Sequence, residues 1–421
     1  MQFSQFAQKY LGNCGILQLM DDLGKYANAD GMIMLGGGNP SLIPEVEEAF
    51  RHRMGRILDS NNELEQLIGT YDGPNGNAAF VDALVHFFRE EYGWQITANN
   101  IALTNGSQTA FFSLFNMFAG AFPNGTHKKI LLPLCPEYIG YEDVGLIDDL
   151  FVSHKPTIQF LDDGFYKYHV DFDALTIDET IGAICVSRPT NPTGNVLTEA
   201  EIEQLSQLAQ QHNIPLIIDN AYGLPFPSII ITEAQPTREP HIVMCMSLSK
   251  LGLPGARTGI IIAHEQIIQG LSGITAVMSL APGSFGPSLA IESVTSRDIL
   301  RLSKEVIKPH YEQKARQAVS WLREALADTP TRIHKPEGAI FLWLWFEGLP
   351  ITSQALYERL KARGVLIIPG QNFFPGLAEE WPHKYECIRL NYAGDPEKVK
   401  QGVEIIAEVV PVVYQLAKTK A

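Results

Sequence analysis

The sequence predicts an α/β protein in which a largely parallel sheet, covered by helices on both faces, is joined to a smaller α+β part. Three observations lead there. Short, continuous, β-branched-rich apolar runs alternate with amphipathic segments between residues 101 and 263, the pattern of strands buried on both faces. The residues with evident chemistry fall where those runs end, and ligands of such sheets bind at the carboxyl ends of the strands. After about residue 300 the texture changes to a long helical segment followed by an aromatic strand. A large part is therefore expected at 50–304 and a smaller one at 305–421, with residues 1–49 joining the smaller part.

The elements follow in order. IALT (101–104) reads as a short strand, and NGSQ (105–108) opens an apolar helix through Phe111, Phe112, Leu114, Phe115 and Phe118. AICVS (183–187) is the next strand, then a turn rich in Pro, Asn and Gly, then a helix from Thr198. Thr198 and Glu201 have the spacing of a capping box, and Ile202, Leu205 and Leu208 give that helix one apolar face. Three strands follow: PLIID (215–219), IVMCM (242–246) and TGIIIA (258–263). A helical pattern through Val306, Tyr311, Ala315, Val319 and Leu322 leads to the strand IFLWLWF (340–346). A helix near 353–363, the strands VLII (365–368) and CIRLNY (387–392), and a closing helix complete the chain. Asp395 and Pro396 supply that last helix with a cap and a first-turn proline.

Bulk properties narrow the function. A chain of 421 residues buries a large core, and a formal net charge of -15 repels nucleic acid and anionic membrane alike. A small molecule is the expected partner. Cys14, Cys135, Cys185, Cys245 and Cys387 are odd in number and far apart, which suits neither a disulfide framework nor a zinc site. His169, His212 and His334 have no partners at ligand spacing, so no metal is expected. The first residues lack a basic segment leading into a long apolar one, and no apolar run approaches membrane-spanning length. The expected compartment is the cytoplasm.

Several polar residues sit where packing alone would not put them. Lys250 lies between the apolar runs 242–246 and 260–263, so it is either a loop lysine reaching solvent or a buried amine with a depressed pKa. Asp219 ends an apolar strand, as a turn cap or as a buried carboxylate that wants a cationic partner. Tyr222 follows three residues later. Gly106, Ser107 and Gln108 stand at a helix start directly after a strand, and Arg257 lies in a glycine-flanked loop. Backbone N–H groups, a hydroxyl and a guanidinium are what a phosphate dianion needs. Arg389 sits in the apolar strand 387–390, where either a structural ion pair or a bidentate carboxylate ligand would satisfy it. An aldehyde for Lys250, a ring nitrogen for Asp219, a phenolate oxygen for Tyr222 and a phosphate for Arg257 and Ser107 are together the groups of pyridoxal 5'-phosphate.

The order NPTG (191–194), DNAY (219–222), SLSK (247–250), Arg257 and IRLNY (388–392) is similar to the fold-type I pyridoxal-phosphate aminotransferases, over nearly the whole chain. The resemblance implies a large domain on a mostly parallel seven-stranded sheet and a smaller α+β domain. It implies that Lys250 forms the Schiff base, Asp219 pairs with the pyridine nitrogen, Tyr222 and Asn191 hydrogen-bond the ring oxygen, and Tyr138 stacks on the ring. Tyr141 competes for that last role, but the family's spacing after Pro136 favours Tyr138. Gly106, Ser107, Gln108, Ser247 and Arg257 would hold the phosphate, with Ser249 as a further contact. Tyr71 would reach the phosphate of a neighbouring subunit, which makes a homodimer the functional unit. Arg389 would clamp the substrate α-carboxylate, helped by Gly38 and Asn191.

Amino acids and 2-oxo acids are then the partners. Dicarboxylate-specific relatives use an extra arginine from the segment that here runs from Thr275 to Gly286, and this segment contains none. A small, uncharged side chain is therefore expected on the substrate. An aminotransferase of other neutral or of aromatic amino acids, a pyridoxal-phosphate lyase or, last, a ligand-sensing regulator would be the alternatives. A regulator needs a basic helix-turn-helix segment, for which the acidic chain shows no candidate.

Overall fold

A computed structural model describes residues 1–11, 17, 20–21, 24–25 and 31–418. The large sheet runs Ile101–Thr104, Gly259–Ile262, Ile242–Ser247, Leu216–Asp219, Ile181–Ser187, His127–Leu132 and Phe151–Ser153. Gly259–Ile262 is antiparallel to both its neighbours, and the other ladders along this path are parallel. These are the seven strands implied by the resemblance. A two-residue strand, Gly120–Ala121, hairpins onto the start of His127–Leu132 as an eighth.

The sheet is buried on both faces because neither side of its strands is polar. Leu103, Met244, Met246, Ile260 and Ile262 join one apolar cluster, whereas Ala102, Val243, Cys245 and Ile261 join another on the opposite face, as a period of two requires. Helix Ser107–Phe118 covers the second face with Phe111, Leu114 and Phe115. Helix Ala78–Tyr92 covers the first with Phe80, Leu84, Phe87 and Phe88. Helix Glu199–Gln211 starts at the expected capping box, with Thr198 Oγ1 accepting from Glu201 N–H and the Glu201 carboxylate accepting from Thr198 N–H.

A second, six-stranded sheet runs Ile368–Pro369, Cys387–Asn391, Phe341–Phe346, Thr331–His334, Phe165–His169 and Thr157–Phe160. Its last two strands lie inside the span 50–304 expected for the large part, so the two sheets interleave along the chain. The cause is long-range. Phe165 and Tyr166 pair in parallel with Ile333 and His334, and Tyr166 and Tyr168 are buried in the same cluster as Trp343. The N-terminal segment pairs with this part of the molecule, Ile33–Met34 lying parallel to Val365–Leu366. Helix Lys308–Ala325 and the closing helix Pro396–Lys418 pack on it, and Asp395 Oδ1 caps the latter by accepting from Glu397 and Lys398 N–H.

Cys135, Cys185, Cys245 and Cys387 are buried free thiols, and Cys14 lies outside the described residues. Among the described residues no helix is long and apolar enough to cross a membrane.

Candidate active site

The carboxyl ends of Ile181–Ser187, Leu216–Asp219 and Ile242–Ser247 converge on a cavity of about 180 Å3. Lys250 enters it from a single 3-10 turn, Ser249–Leu251, that the antiparallel strand Gly259–Ile262 forces close behind Ser247. Its Nζ donates to the Gly38 carbonyl oxygen at 2.5 Å and lies 5.2 Å from the centre of the Tyr222 ring. Burial disfavours the ammonium and lowers its pKa to about 8. Arg389 and Arg257 push the same way, and Asp219 opposes them.

Asp219 is buried at the end of its strand. Its Oδ2 accepts from Tyr141 Oη at 2.9 Å and its Oδ1 from Ala221 N–H at 3.0 Å. Burial raises its pKa to about 6, and the two hydrogen bonds hold it back from rising further. The two tyrosines weighed for the stacking role therefore divide. Tyr138 lines the cavity, while Tyr141 is fully buried behind it and orients Asp219. Their rings meet edge to face, centres 5.4 Å apart.

At the other end stand the expected phosphate residues. Ser107 and Gln108 open helix Ser107–Phe118, and both line the cavity with Ser247, Ser249 and Arg257. Gly106 precedes them at φ 85°, ψ 160°, and a Cβ there would lie 2.1 Å from Arg257 Nη2. The backbone is thus laid directly against the guanidinium. Arg257 itself has a left-handed backbone, φ 48°, which costs about 1–3 kcal/mol in a non-glycine residue and marks sites where geometry outranks comfort. Among the described residues its Nη1 makes only long contacts, 3.5 Å to Ser249 Oγ and 3.4 Å to Pro254 O. Gln108 commits its side-chain Nε2 to Gly140 O at 2.7 Å, and its Oε1 has no partner among the described residues.

Arg389 reaches the cavity from the second sheet. Its Nη1 donates to Asn191 Oδ1 at 2.6 Å and its Nη2 to Gly36 O at 2.7 Å, while Nε has no partner among the described residues. The guanidinium carbon lies 4.1 Å from the Phe341 ring centre and 5.2 Å from that of Phe373. Burial lowers its pKa to about 10, with Tyr222 and Tyr138 opposing. Among the described residues no Asp or Glu forms an ion pair with it, so the structural-ion-pair alternative is absent from this arrangement. Asn391 Nδ2 donates to Gly37 O, and with Arg389 and Lys250 it draws the 36–38 segment over the site.

Tyr71 stands apart from this group. It is 82% exposed and does not line the cavity. Three residues were missed in the sequence: Tyr141 in its present role, Phe373 behind Arg389, and Met20, which lines the cavity from the N-terminal segment. Only the loop PEYIGY (136–141), with two tyrosines three apart, carried a signal for the first.

A model of the class I and II aminotransferases matches residues 31–406. The chain belongs to that family, whose members have the fold-type I architecture and use pyridoxal 5'-phosphate. It is 54% identical over 408 residues to the valine–pyruvate aminotransferase of Escherichia coli K12, covering 97% of this chain and 98% of the relative. The crystal structure of valine–pyruvate aminotransferase from Salmonella typhimurium LT2 matches with a TM-score of 0.87 at 52% identity, over 95% of this chain and 99% of that one. That of a putative amino-acid aminotransferase from Psychrobacter arcticum 273-4 matches with a TM-score of 0.96 at 49% identity, over 99% of both.

Proposed function

We propose that the protein transfers an amino group between valine and pyruvate, giving 2-oxoisovalerate and alanine, and runs in both directions within cytoplasmic branched-chain amino acid and alanine metabolism. The observation that carries this reading is Arg389: a buried guanidinium without an acidic partner among the described residues, sharing one cavity with Lys250. A carboxylate on a small ligand satisfies it bidentately.

Bound in this cavity, pyridoxal phosphate supplies an aldehyde for the substrate amine and a ring that accepts the electron pair of its α-carbon. The donor set fits that group. Gly106, Ser107 and Gln108 at a helix N-terminus, with Ser247, Ser249 and Arg257, would hold the phosphate. Asp219, kept anionic by Tyr141 and Ala221 N–H, would hold a proton on the ring nitrogen. Tyr138 would cover one ring face. Tyr222 would donate to the ring oxygen, as would Asn191 through its amide nitrogen, because its Oδ1 already accepts from Arg389. The Lys250 amine, with a pKa of about 8, is near enough to neutral pH to take the proton from the substrate α-carbon.

Neutral side-chain specificity is supported by the arginine-free segment 275–286. The stretches LGGGNP (35–40), YDGPNG (71–76), PEYIGY (136–141) and KPEGAIFLWLWF (335–346) support the valine–pyruvate pair in particular. A homodimer completes the reading, with Tyr71 reaching the neighbouring subunit's phosphate. The test is a spectrum of the purified protein during additions of L-valine and then pyruvate. The visible band of bound cofactor is expected to bleach with valine and return with pyruvate. A band answering to glutamate and not to valine would leave an aminotransferase of different specificity.

A further inference from the structure

Behind Asp219 lies a second carboxyl group that the proposed reaction does not use. Glu137 is fully buried, does not line the cavity, and forms no ion pair among the described residues. Its Oε1 accepts from Ser187 N–H at 2.8 Å, and its Oε2 accepts from Tyr138 N–H at 3.3 Å and lies 2.5 Å from Ser187 Oγ. Ser187 Oγ is in turn 3.4 Å from Tyr141 Oη, which donates to Asp219. Two carboxyl groups are thus joined through two hydroxyls in the buried interior.

We propose that Glu137 is a positioning residue that keeps its proton in the folded protein and, through Ser187 and Tyr141, directs the hydrogen bond that holds Asp219 as the anion. The inference rests on the reading of Asp219 as the partner of the cofactor's ring nitrogen. In this state the hydrogen bonds run in one direction towards Asp219. With Glu137 neutral, its O–H donates to Ser187 Oγ, the Ser187 hydroxyl turns to Tyr141 Oη, and Tyr141 donates to Asp219, so each hydrogen is used once. With Glu137 ionised, Ser187 must turn back to it and Tyr141 loses its donor. Two buried carboxylates without a cation between them do not both ionise readily. Asp219 has the cavity and Lys250 to support its charge besides the Ala221 N–H, whereas Glu137 has the Ser187 and Tyr138 N–H groups but no ion pair among the described residues.

The ionisable groups facing Glu137 agree. Asp219 comes from its own strand, Tyr141 and Cys135 from the Glu137 segment, and Cys185 from the strand Ile181–Ser187. The turn Gly370–Phe373, which takes the Glu137 N–H on Phe373 O, carries no titratable side chain. Burial raises the Glu137 pKa to about 8 against the hydrogen bonds from Ser187 and the Tyr138 N–H, which lower it, and the Asp219 charge adds to the rise.

The experiment compares the melting temperature of cofactor-free wild-type protein with that of Glu137→Gln across pH. A carboxyl group that releases its proton near 4.5 when unfolded and near 8 when folded makes the folded state bind more protons between those values. Stability is then lost as pH rises through that window and is level above it. Glutamine does not titrate, so the difference in favour of Glu137→Gln is expected to widen from about 4.5 to about 8 and then stay constant. A difference independent of pH overturns the proposal. Should Glu137→Gln not fold, the infrared carbonyl stretch of a protonated carboxyl in the wild-type apoprotein decides. It is expected at neutral pH and to fade past about 8, and its absence at neutral pH overturns the proposal. Asp219→Asn separates the two readings. If it retains cofactor as the wild type does, the Asp219 reading falls, and the proposal built on it falls with it. If it sheds cofactor while the Glu137→Gln difference is flat, the Glu137 proposal alone falls.

Discussion

Arg389 Nη1 donates to Asn191 Oδ1 at 2.6 Å, across 198 residues of sequence. The bond ties a strand of the second sheet to the loop leaving the large sheet, so the cation arrives in the cavity already oriented. A second N–H is spent on Gly36 O, and the planar fork leaves further donors for a carboxylate. Lysine keeps the charge and loses the fork. Arg389→Lys is therefore expected to lose one charge-assisted hydrogen bond, about 1.5–3 kcal/mol or roughly 10- to 150-fold in kcat/KM for valine, mostly as a raised KM. Steady-state kinetics read it, and an unchanged KM would remove Arg389 from carboxylate recognition.

Gly106 makes a different demand. Its φ of 85° with ψ of 160° is a region open essentially to glycine, and alanine there costs about 1–3 kcal/mol of backbone strain. The atoms its Cβ would strike are the far end of Arg257, at 2.1 Å, and a flexible side chain can move aside. Gly106→Ala is thus expected to fold with Arg257 displaced, weakening cofactor retention by about the 1.5–3 kcal/mol of one hydrogen bond to a charged group, roughly 10- to 150-fold. Equilibrium dialysis against pyridoxal phosphate measures this. Wild-type retention in Gly106→Ala would place the phosphate elsewhere.

How much of this was legible in the sequence follows from what was local. Lys250, Asp219 and Arg389 announced themselves because each interrupts an apolar run, and an ionisable group there is costly unless something meets it. The strands of the large sheet were legible for the same reason, being apolar on both faces. Pairing partners were not. Thr157–Phe160 and Phe165–His169 alternate like any strand, and nothing local sends Phe165 to Ile333 instead of to the large sheet. Glu137 was illegible, and Tyr141 was legible only as a rival for the stacking role, because loop residues have no period and the side that each presents to Asp219 exists only once the loop has folded. Phe373 lies in a turn 16 residues before Arg389, and its approach to the guanidinium depends on the antiparallel pairing of Ile368–Pro369 with the Arg389 strand.

Tyr71 carries the dimer prediction. Its neighbour Asp72 accepts from the Ser284 hydroxyl, which holds the exposed tyrosine beside a segment where Val277, Leu280 and Phe285 are 88%, 63% and 46% exposed. An apolar face of this kind fits a second copy of the chain. If Tyr71 completes the neighbouring site, Tyr71→Ala and Lys250→Ala chains, each with little or no activity alone, form mixed dimers in which one site holds both residues. Co-refolding the two is expected to restore transamination above the level of either parent. No restoration, in a sample shown by mass to contain mixed dimers, would return Tyr71 to its own subunit.

The state of the Lys250 amine can be read without substrate or cofactor. Burial lowers its pKa to about 8, Arg389 and Arg257 add to the effect, and Asp219 opposes it. An amine reacts with acetic anhydride only when neutral, so acetylation of Lys250 in the apoprotein is expected to rise with pH and level off just above about 8. A lysine in an unstructured reference peptide, with a value of about 10.4, continues to gain reactivity well beyond that point. The signs of two variants follow from the charges removed. Arg389→Gln takes away a repelling cation and should move the Lys250 midpoint up, whereas Asp219→Asn takes away an attracting anion and should move it down. Peptide mass spectrometry across a pH series reads all three midpoints. A Lys250 that tracked the reference peptide would be an ordinary ammonium in the folded protein, and its place as the proton acceptor would have to be given up.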